Sequence, residues 1–234
     1  MIRVPHFVVI SGGEAGAFYV RQLRRAVTAG KLETGAIVVV DRDPACRVAA
    51  EAAGDPLVRL ETAEWSDWLA ANLGRADPAD HLVPYHWAPH LLLGWLEGEL
   101  RRAGASVSHG GALAARGLPF EAATSAGDRA LSYASWTCPP TCIEPAVCPH
   151  TRGPKDWSLA ADLESPAGDA APVVFRCVHL VYGVGTIPVR DILAARDRLR
   201  SEAGARRSYL VATSSHCHAL ATRLDVGYLS PSTR

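Results

Sequence analysis

Four short β-branched runs, FVVIS, GAIVVVDRD, PLVRL and HLVPY, each lead into a segment with apolar residues at helical spacing. The helical partners are EAGAFYVRQLRRAVTAG, PACRVAAEAAG, AEWSDWLAANLG and APHLLLGWLEGELRRAG. In the second of these, Pro44 suits a first turn and Gly54 a helix end. Strand–helix alternation at this spacing predicts βαβ units, a parallel sheet covered by helices. From residue 105 to 128 the signal thins, with small residues and glycine dominating. It resumes with RALSYAS and VVFRCVHLVYGVG as strands, VRDILAARDRLRSEAG as an amphipathic helix, SYLVAT as a strand and HCHALATRL as a short closing helix. No internal repeat and no long low-complexity linker divides the chain. The expectation is an α/β fold, a doubly wound, mostly parallel sheet forming one domain over 1–234, with an irregular Cys/Pro-rich insertion at 136–171.

The chain has 234 residues, of which 48% are hydrophobic and 21% charged, and its 24 basic and 24 acidic side chains balance. Nothing in that balance suggests a polyanion partner, and the partner expected is a small-molecule substrate, not nucleic acid. No apolar run approaches the roughly 20 residues that cross a bilayer, so no membrane insertion is expected. The N-terminal PHFVVI is too short for a signal-peptide core, which predicts a cytoplasmic protein. In that compartment thiols stay reduced, so six cysteines call for a metal or redox explanation before a disulfide one. Composition leaves homo-oligomerisation open.

In VVISGGEAGAFYVRQL, Ser11, Gly12, Gly13 and Gly16 stand between a strand and a helix. Glycines there give a tight turn, let a pyrophosphate approach the backbone, and let helix pack on strand. The next strand ends at Asp41, where a ribose-binding acid would fall, and Arg42 follows, which suits a 2′-phosphate. With the VVVDRDP-like second strand, these residues make the N-terminal half resemble NAD(P)-binding Rossmann domains. The likeness is to those of potassium-transport regulators and siroheme-synthesis dehydrogenases. The resemblance implies a Rossmann-like sheet and NAD or NADP as cofactor. Serine takes the first glycine position, and Glu14 puts negative charge beside the cradle. A turn whose glycines serve only the backbone remains the alternative.

Residues 137–151 read TCPPTCIEPAVCPHT. Cys138, Cys142, Cys148 and His150 form C-x3-C-x5-C-P-H on backbone too rich in proline for helix or interior strand. Thiolates are soft ligands, so the loop is a candidate zinc or iron–sulfur site, with Cys177, Cys217 or a flanking histidine also able to complete it. A regulatory disulfide or unrelated buried thiols are the alternatives. His216, Cys217 and His218 lie beyond the strand SYLVAT, as acid–base groups, metal ligands or the first turn of a short helix begun by Ser214 or Ser215. His86 follows the fourth strand. In a parallel sheet all these positions would share the rim of strand carboxyl ends.

The expectation is therefore an NAD(P)-binding oxidoreductase with a Cys/His metal centre beside the cofactor crevice, using His216, Cys217, His218 and His86 as catalytic groups. One alternative is a nucleotide- or redox-sensing regulatory module with a structural metal or thiol switch. The other is a tetrapyrrole dehydrogenase or metal-insertion enzyme.

Overall fold

A computed structural model describes residues 1–85, 90–111, 113–124, 127–138, 142–165, 168–202 and 206–228. In chain order the first elements are β1 (Ile2–Arg3), β2 (His6–Ile10), α1 (Glu14–Thr28), β3 (Leu32–Glu33), β4 (Ala36–Asp41), α2 (Arg47–Glu51) and β5 (Val58–Thr62). Next come α3 (Trp65–Asn72), β6 (His81–Val83), α4 (Leu91–Arg102), β7 (Ala105–His109), β8 (Phe120–Ala123) and β9 (Arg129–Ser132). The chain continues through α5 (Leu159–Glu164), β10 (Ala171–Arg176), β11 (Val178–Val181), β12 (Val184–Pro188), α6 (Val189–Ser201), β13 (Arg207–Ser214) and β14 (His218–Tyr228). They fall into two compact units: 1–91 with 139–143 and 178–193, and 92–138 with 144–177 and 194–234. Among the described residues no helix is long and apolar enough to cross a membrane.

The first unit holds a sheet in the order β11-β12-β6-β2-β4-β5. β6, β2, β4 and β5 run parallel, whereas β12 joins β6 antiparallel and β11 joins β12 antiparallel. The β-branched runs of β2 and β4 are buried almost throughout, as strands covered on both faces must be. α1 lays Ala17, Val20, Leu23 and Ala26 into a core shared with Phe7, Val9, Ile37 and Val39.

The second unit is built differently. Its sheet runs β10-β13-β14-β9-β8, with β7 also paired to β14. Only β10 and β13 are parallel; β13–β14, β14–β9, β14–β7 and β8–β9 are antiparallel. α5 contributes Leu159 and Leu163 to a core with Leu131, Leu210, Ala212 and Ala221. Ser158 caps that helix through its hydroxyl, which accepts the Ala161 amide at 3.4 Å.

These sheets correct the expected doubly wound, mostly parallel fold. A hydrophobic alternation reports that strands and helices exist, but not the direction in which strands pair. β13 and β14 are joined by three residues only, a hairpin length, whereas parallel neighbours need a crossover of a dozen or more. The expected closing helix over HCHALATRL is instead the start of β14, paired to β13 and β9 along most of that length. The run VVFRCVHLVYGVG is likewise not one strand: it is divided at Cys177 between β10 and β11, which belong to different sheets.

Gly16 is fixed by packing. A Cβ there would stand 1.8 Å from the Ser11 carbonyl oxygen, a backbone atom that cannot yield without moving β2 or α1. Gly16→Ala should lower stability by about 3 kcal/mol or prevent folding, measured by urea unfolding. Gly94→Ala, where an added Cβ meets nothing within 4 Å, should be neutral or stabilising in the same assay.

A candidate thiol–imidazole site

The ends of four strands in the second unit meet at one edge of its sheet. Arg176, the last residue of β10, pairs with Ser214, the last of β13. Ser214 pairs with Ala219 of β14, and His218 pairs with Ser132, the last residue of β9. The Cys177 amide donates to the Ser214 carbonyl at 2.8 Å, and the Ser215 amide to the His218 carbonyl at 2.8 Å. The connecting turn is held from outside as well. Tyr133 N donates to the Cys217 carbonyl at 3.0 Å and Leu159 N to the His216 carbonyl at 3.0 Å. Both oxygens of Glu144 accept the His216 amide, at 3.1 and 3.2 Å. A turn this well satisfied presents its side chains from fixed points.

Those side chains form a layered polar cluster. The Trp157 indole N–H donates to Cys217 Sγ at 3.4 Å, and the Trp157 ring stacks on Tyr133 with centroids 5.6 Å apart. Tyr133 donates its hydroxyl to Asp162 Oδ2 at 2.5 Å, which pushes its pKa up to about 12. Ser132 Oγ accepts the Ala134 amide at 2.8 Å and lies 3.0 Å from His218 Nδ1. The Nε2 of His216 is buried and makes no hydrogen bond among the described residues.

Burial dominates the protonation states. It holds the pKa values of His216 and His218 down, against the Glu144 carboxylate, which pulls both up. It pushes Cys177 up to about 12, with Glu144 adding to the rise. Cys217 also rises through burial, opposed by the Trp157 N–H. The rim therefore carries neutral imidazoles and protonated thiols around one carboxylate. Cys148 behaves oppositely: the Thr151 amide, then the His150 amide and the Thr151 hydroxyl, hydrogen-bond its sulfur and favour the thiolate.

The predicted cysteine loop is only partly assembled. Residues 146–155 form a hairpin-like turn closed by Cys148 N to Gly153 O (2.9 Å), Arg152 N to Cys148 O (2.8 Å) and Lys155 N to Ala146 O (2.9 Å). The His150 ring stacks on Trp136 at 4.4 Å, two residues before Cys138. Cys138 also lies near enough to Cys217 to oppose its ionisation. Cys142 groups instead with the first unit. Among the described residues, no three His, Cys, Asp or Glu side chains already surround a common point as metal ligands. His86 lies outside the described residues.

The glycine turn belongs to the first unit. Gly12 N donates to Asp41 Oδ2 at 2.7 Å and Asp43 N to Asp41 Oδ1 at 2.9 Å, so the carboxylate braces its own loop. Ser11 has φ +82°, the left-handed conformation that a glycine would adopt without strain, and its Oγ accepts Gly13 N at 3.2 Å. A Cβ on Gly12 would come within 2.3 Å of Cys46 Sγ, so the turn also accommodates the buried thiol at the start of α2. Arg42 is exposed beside Glu64 at 3.7 Å. The expectation that one parallel rim carries every candidate is corrected with the fold: the glycine turn and the thiol–imidazole cluster stand on two different sheets.

Sequence reasoning passed over Glu144, Ser132, Tyr133, Trp157 and Asp162 as site residues. Their spacing carries no motif; antiparallel pairing of β9 with β14, and the return of the loop to the turn, bring them in.

The fold and this cluster define an α/β chain with two mixed sheets, whose second unit carries a thiol–imidazole rim around the buried Cys217. Residues 92–227 match the family AF_1314_C, described as an uncharacterized protein, C-terminal domain, and the chain belongs to that family. No curated protein and no solved structure matches it. The match spans every residue of the rim from Ser132 to His218; the glycine turn precedes it.

The shared dependence on Glu144 gives a test. Glu144→Gln removes negative charge that favours imidazolium and disfavours thiolate. The pKa values of His216, His218 and Cys177 should therefore all fall, the first two by NMR titration and the third by the pH dependence of alkylation. Unchanged values would mean that Glu144 does not govern the rim.

Proposed function

We propose that the second unit binds a soft transition-metal ion, zinc in the first instance, at the thiol–imidazole rim. Cys138, Cys217 and His216 would supply donors, with the thiolate-prone Cys148 in the same loop. The observation that carries this reading is the buried His216 Nε2, an imidazole nitrogen, held toward the neutral form by burial, that has no hydrogen-bond partner among the described residues. Orphaned buried polar atoms are rare because each costs about 1–3 kcal/mol. A metal ion would satisfy this one and would draw the protons off neighbouring thiols, offsetting the burial that now keeps them protonated. Amide hydrogen bonds to Cys148 stabilise its thiolate, the form that binds a metal. Binding would close the loop on the ion, since the donors do not yet surround one point.

Metal analysis of chelator-stripped protein titrated with zinc should find about one equivalent per chain. Cys217→Ser and His216→Ala should each lose it, while Cys142→Ser, in the other unit, should keep it. Full retention by both of the first two variants would overturn the site. Visible absorption after anaerobic preparation would replace zinc by an iron–sulfur cluster on the same thiols.

A second reading, an oxidoreductase that takes NAD or NADP on its first unit, is favoured by the start of α1. Gly13 is its N-cap and no side chain caps the helix, so the amides that follow the parallel strand β2 are suited to an anion. Titration with NADH and with NADPH should saturate if the turn is a phosphate cradle. Arg42→Ala should then weaken NADPH more than NADH. No saturation with either dinucleotide removes the reading and leaves Gly12 and Gly16 as packing glycines.

A further inference from the structure

β5 ends the sheet of the first unit. Its inner edge pairs with β4 in unbroken register from Val58 to Thr62, and among the described residues no strand covers its outer edge. Ile37 N donates to the Leu57 carbonyl at 2.8 Å and Ala63 N to the Asp41 carbonyl at 3.0 Å, so the odd-numbered residues of this run turn their peptide groups toward β4. Peptide groups alternate sides along a strand, so those of Val58, Leu60 and Thr62 face outward. The Val58 amide is taken by the Asp55 carbonyl at 3.1 Å. The open edge therefore presents the Val58 carbonyl, both groups of Leu60 and the Thr62 amide.

The side chains of this edge are self-complementary. Val58 and Leu60 pack, partly buried, against the core on one face. Arg59 and Glu61 lie on the other, 63% and 45% exposed, with Nε and Oε1 3.9 Å apart, longer than a hydrogen bond. A two-fold axis through Leu60 lays a second β5 antiparallel to the first. Arg59 then falls opposite the partner's Glu61, at a non-hydrogen-bonded position where facing side chains stand closest. The same register sets the Leu60 amide against the partner's Leu60 carbonyl, and the Thr62 amide against the partner's Val58 carbonyl, each twice by symmetry. Centring the axis on Arg59 or Glu61 instead would bring like charges face to face. Backbone and charge thus select one register independently. Natural sheets usually protect their edges: β10, an end of the other sheet, carries Pro172, whose carbonyl Arg198 takes at 2.6 Å. β5 has neither proline nor bulge.

We propose that β5 is a dimer interface, at which a second copy of this chain joins β5 to β5, antiparallel about a two-fold axis at Leu60, to make one continuous sheet. The contact is isologous, so each copy closes the open edge of the other and the pairing does not propagate. On the core face the two Leu60 side chains meet, and Val58 meets the partner's Thr62, which extends the apolar layer across the axis. On the other face the paired Arg59 and Glu61 fix the register more than they add affinity. The strand has only 5 residues, so the dimer is weak and depends on concentration.

The test is sedimentation equilibrium of the full chain, in reductant so that no thiols bridge, over a micromolar-to-millimolar series. It should show a monomer–dimer equilibrium. Arg59→Glu and Glu61→Arg each set like charges opposite one another at both symmetric positions, and each should raise the dimer Kd about tenfold or more. Both side chains are exposed, so circular dichroism should not change. The double variant restores opposite charges in reversed order and should recover the original Kd. Mixing the two single variants should likewise give a dimer tighter than either forms alone. The proposal is overturned if the chain stays monomeric throughout, if both single variants dimerise as the unaltered chain does, or if the double variant fails to recover the dimer.

Discussion

The antiparallel ladder of β14 is the constraint on which the second unit depends. Its 11 residues are paired to β13 on one edge and to β9 and β7 in succession on the other. Ala221, Thr222, Leu224 and Val226 are buried. Register in such a strand is not free to slip, because a shift of one residue would turn Leu224 and Val226 to the opposite face. The same register puts His218 against Ser132 at one end of β14, where the rim lies. A site made at the ends of paired strands inherits their rigidity; a site on the proline-rich loop alone would not.

At the rim, desolvation and one carboxylate oppose or reinforce each other according to the group. For His216 and His218, burial favours the neutral ring and Glu144 the charged one. For Cys177 both act in the same direction, against the thiolate. The thiols and imidazoles are therefore poised unequally. The imidazole lone pairs are available near neutral pH, while Cys177 and Cys217 ionise only if a cation arrives to compensate. Cys148 needs no such compensation to the same degree, because backbone amides of its own turn already face the sulfur.

The parts of the chain legible beforehand were those whose information is local. FVVIS and GAIVVVDRD are strands because β-branched residues bury well on both faces, and α1 follows from apolar spacing. The structural need for glycine at 16 was legible for the same reason, since it approaches Ser11 and Val9 in the strand just before its own helix, whereas the clash at Gly12 is with Cys46, far along the chain. Pairing direction was not, because nothing local separates a parallel strand from an antiparallel one. HCHALATRL shows the difficulty: Ala219, Leu220, Ala221 and Leu224 satisfy a helical spacing, yet the ladder to β13 overrides that preference. Glu144 was invisible for a further reason. It reaches the His216 amide from 72 residues away, through a loop with no periodicity to read.

The break at Cys177 joins these threads. VVFRCVHLVYGVG is longer than the roughly ten residues of an ordinary strand, and a chain that kept it whole would have to bury it in one sheet. Instead Val173 and Phe175 are buried in β10, Arg176 is exposed, and the pairing ends. The next four residues, Val178–Val181, pair with β12 in the other sheet. The residue at the switch cannot belong to either ladder's interior, so its amide is taken up by Ser214 at the end of β13. That bond holds the Cys177 thiol at the rim, within the field of Glu144. The interruption that defeats a one-sheet reading of the sequence is thus the same event that delivers the Cys177 thiol to the rim that carries Cys217.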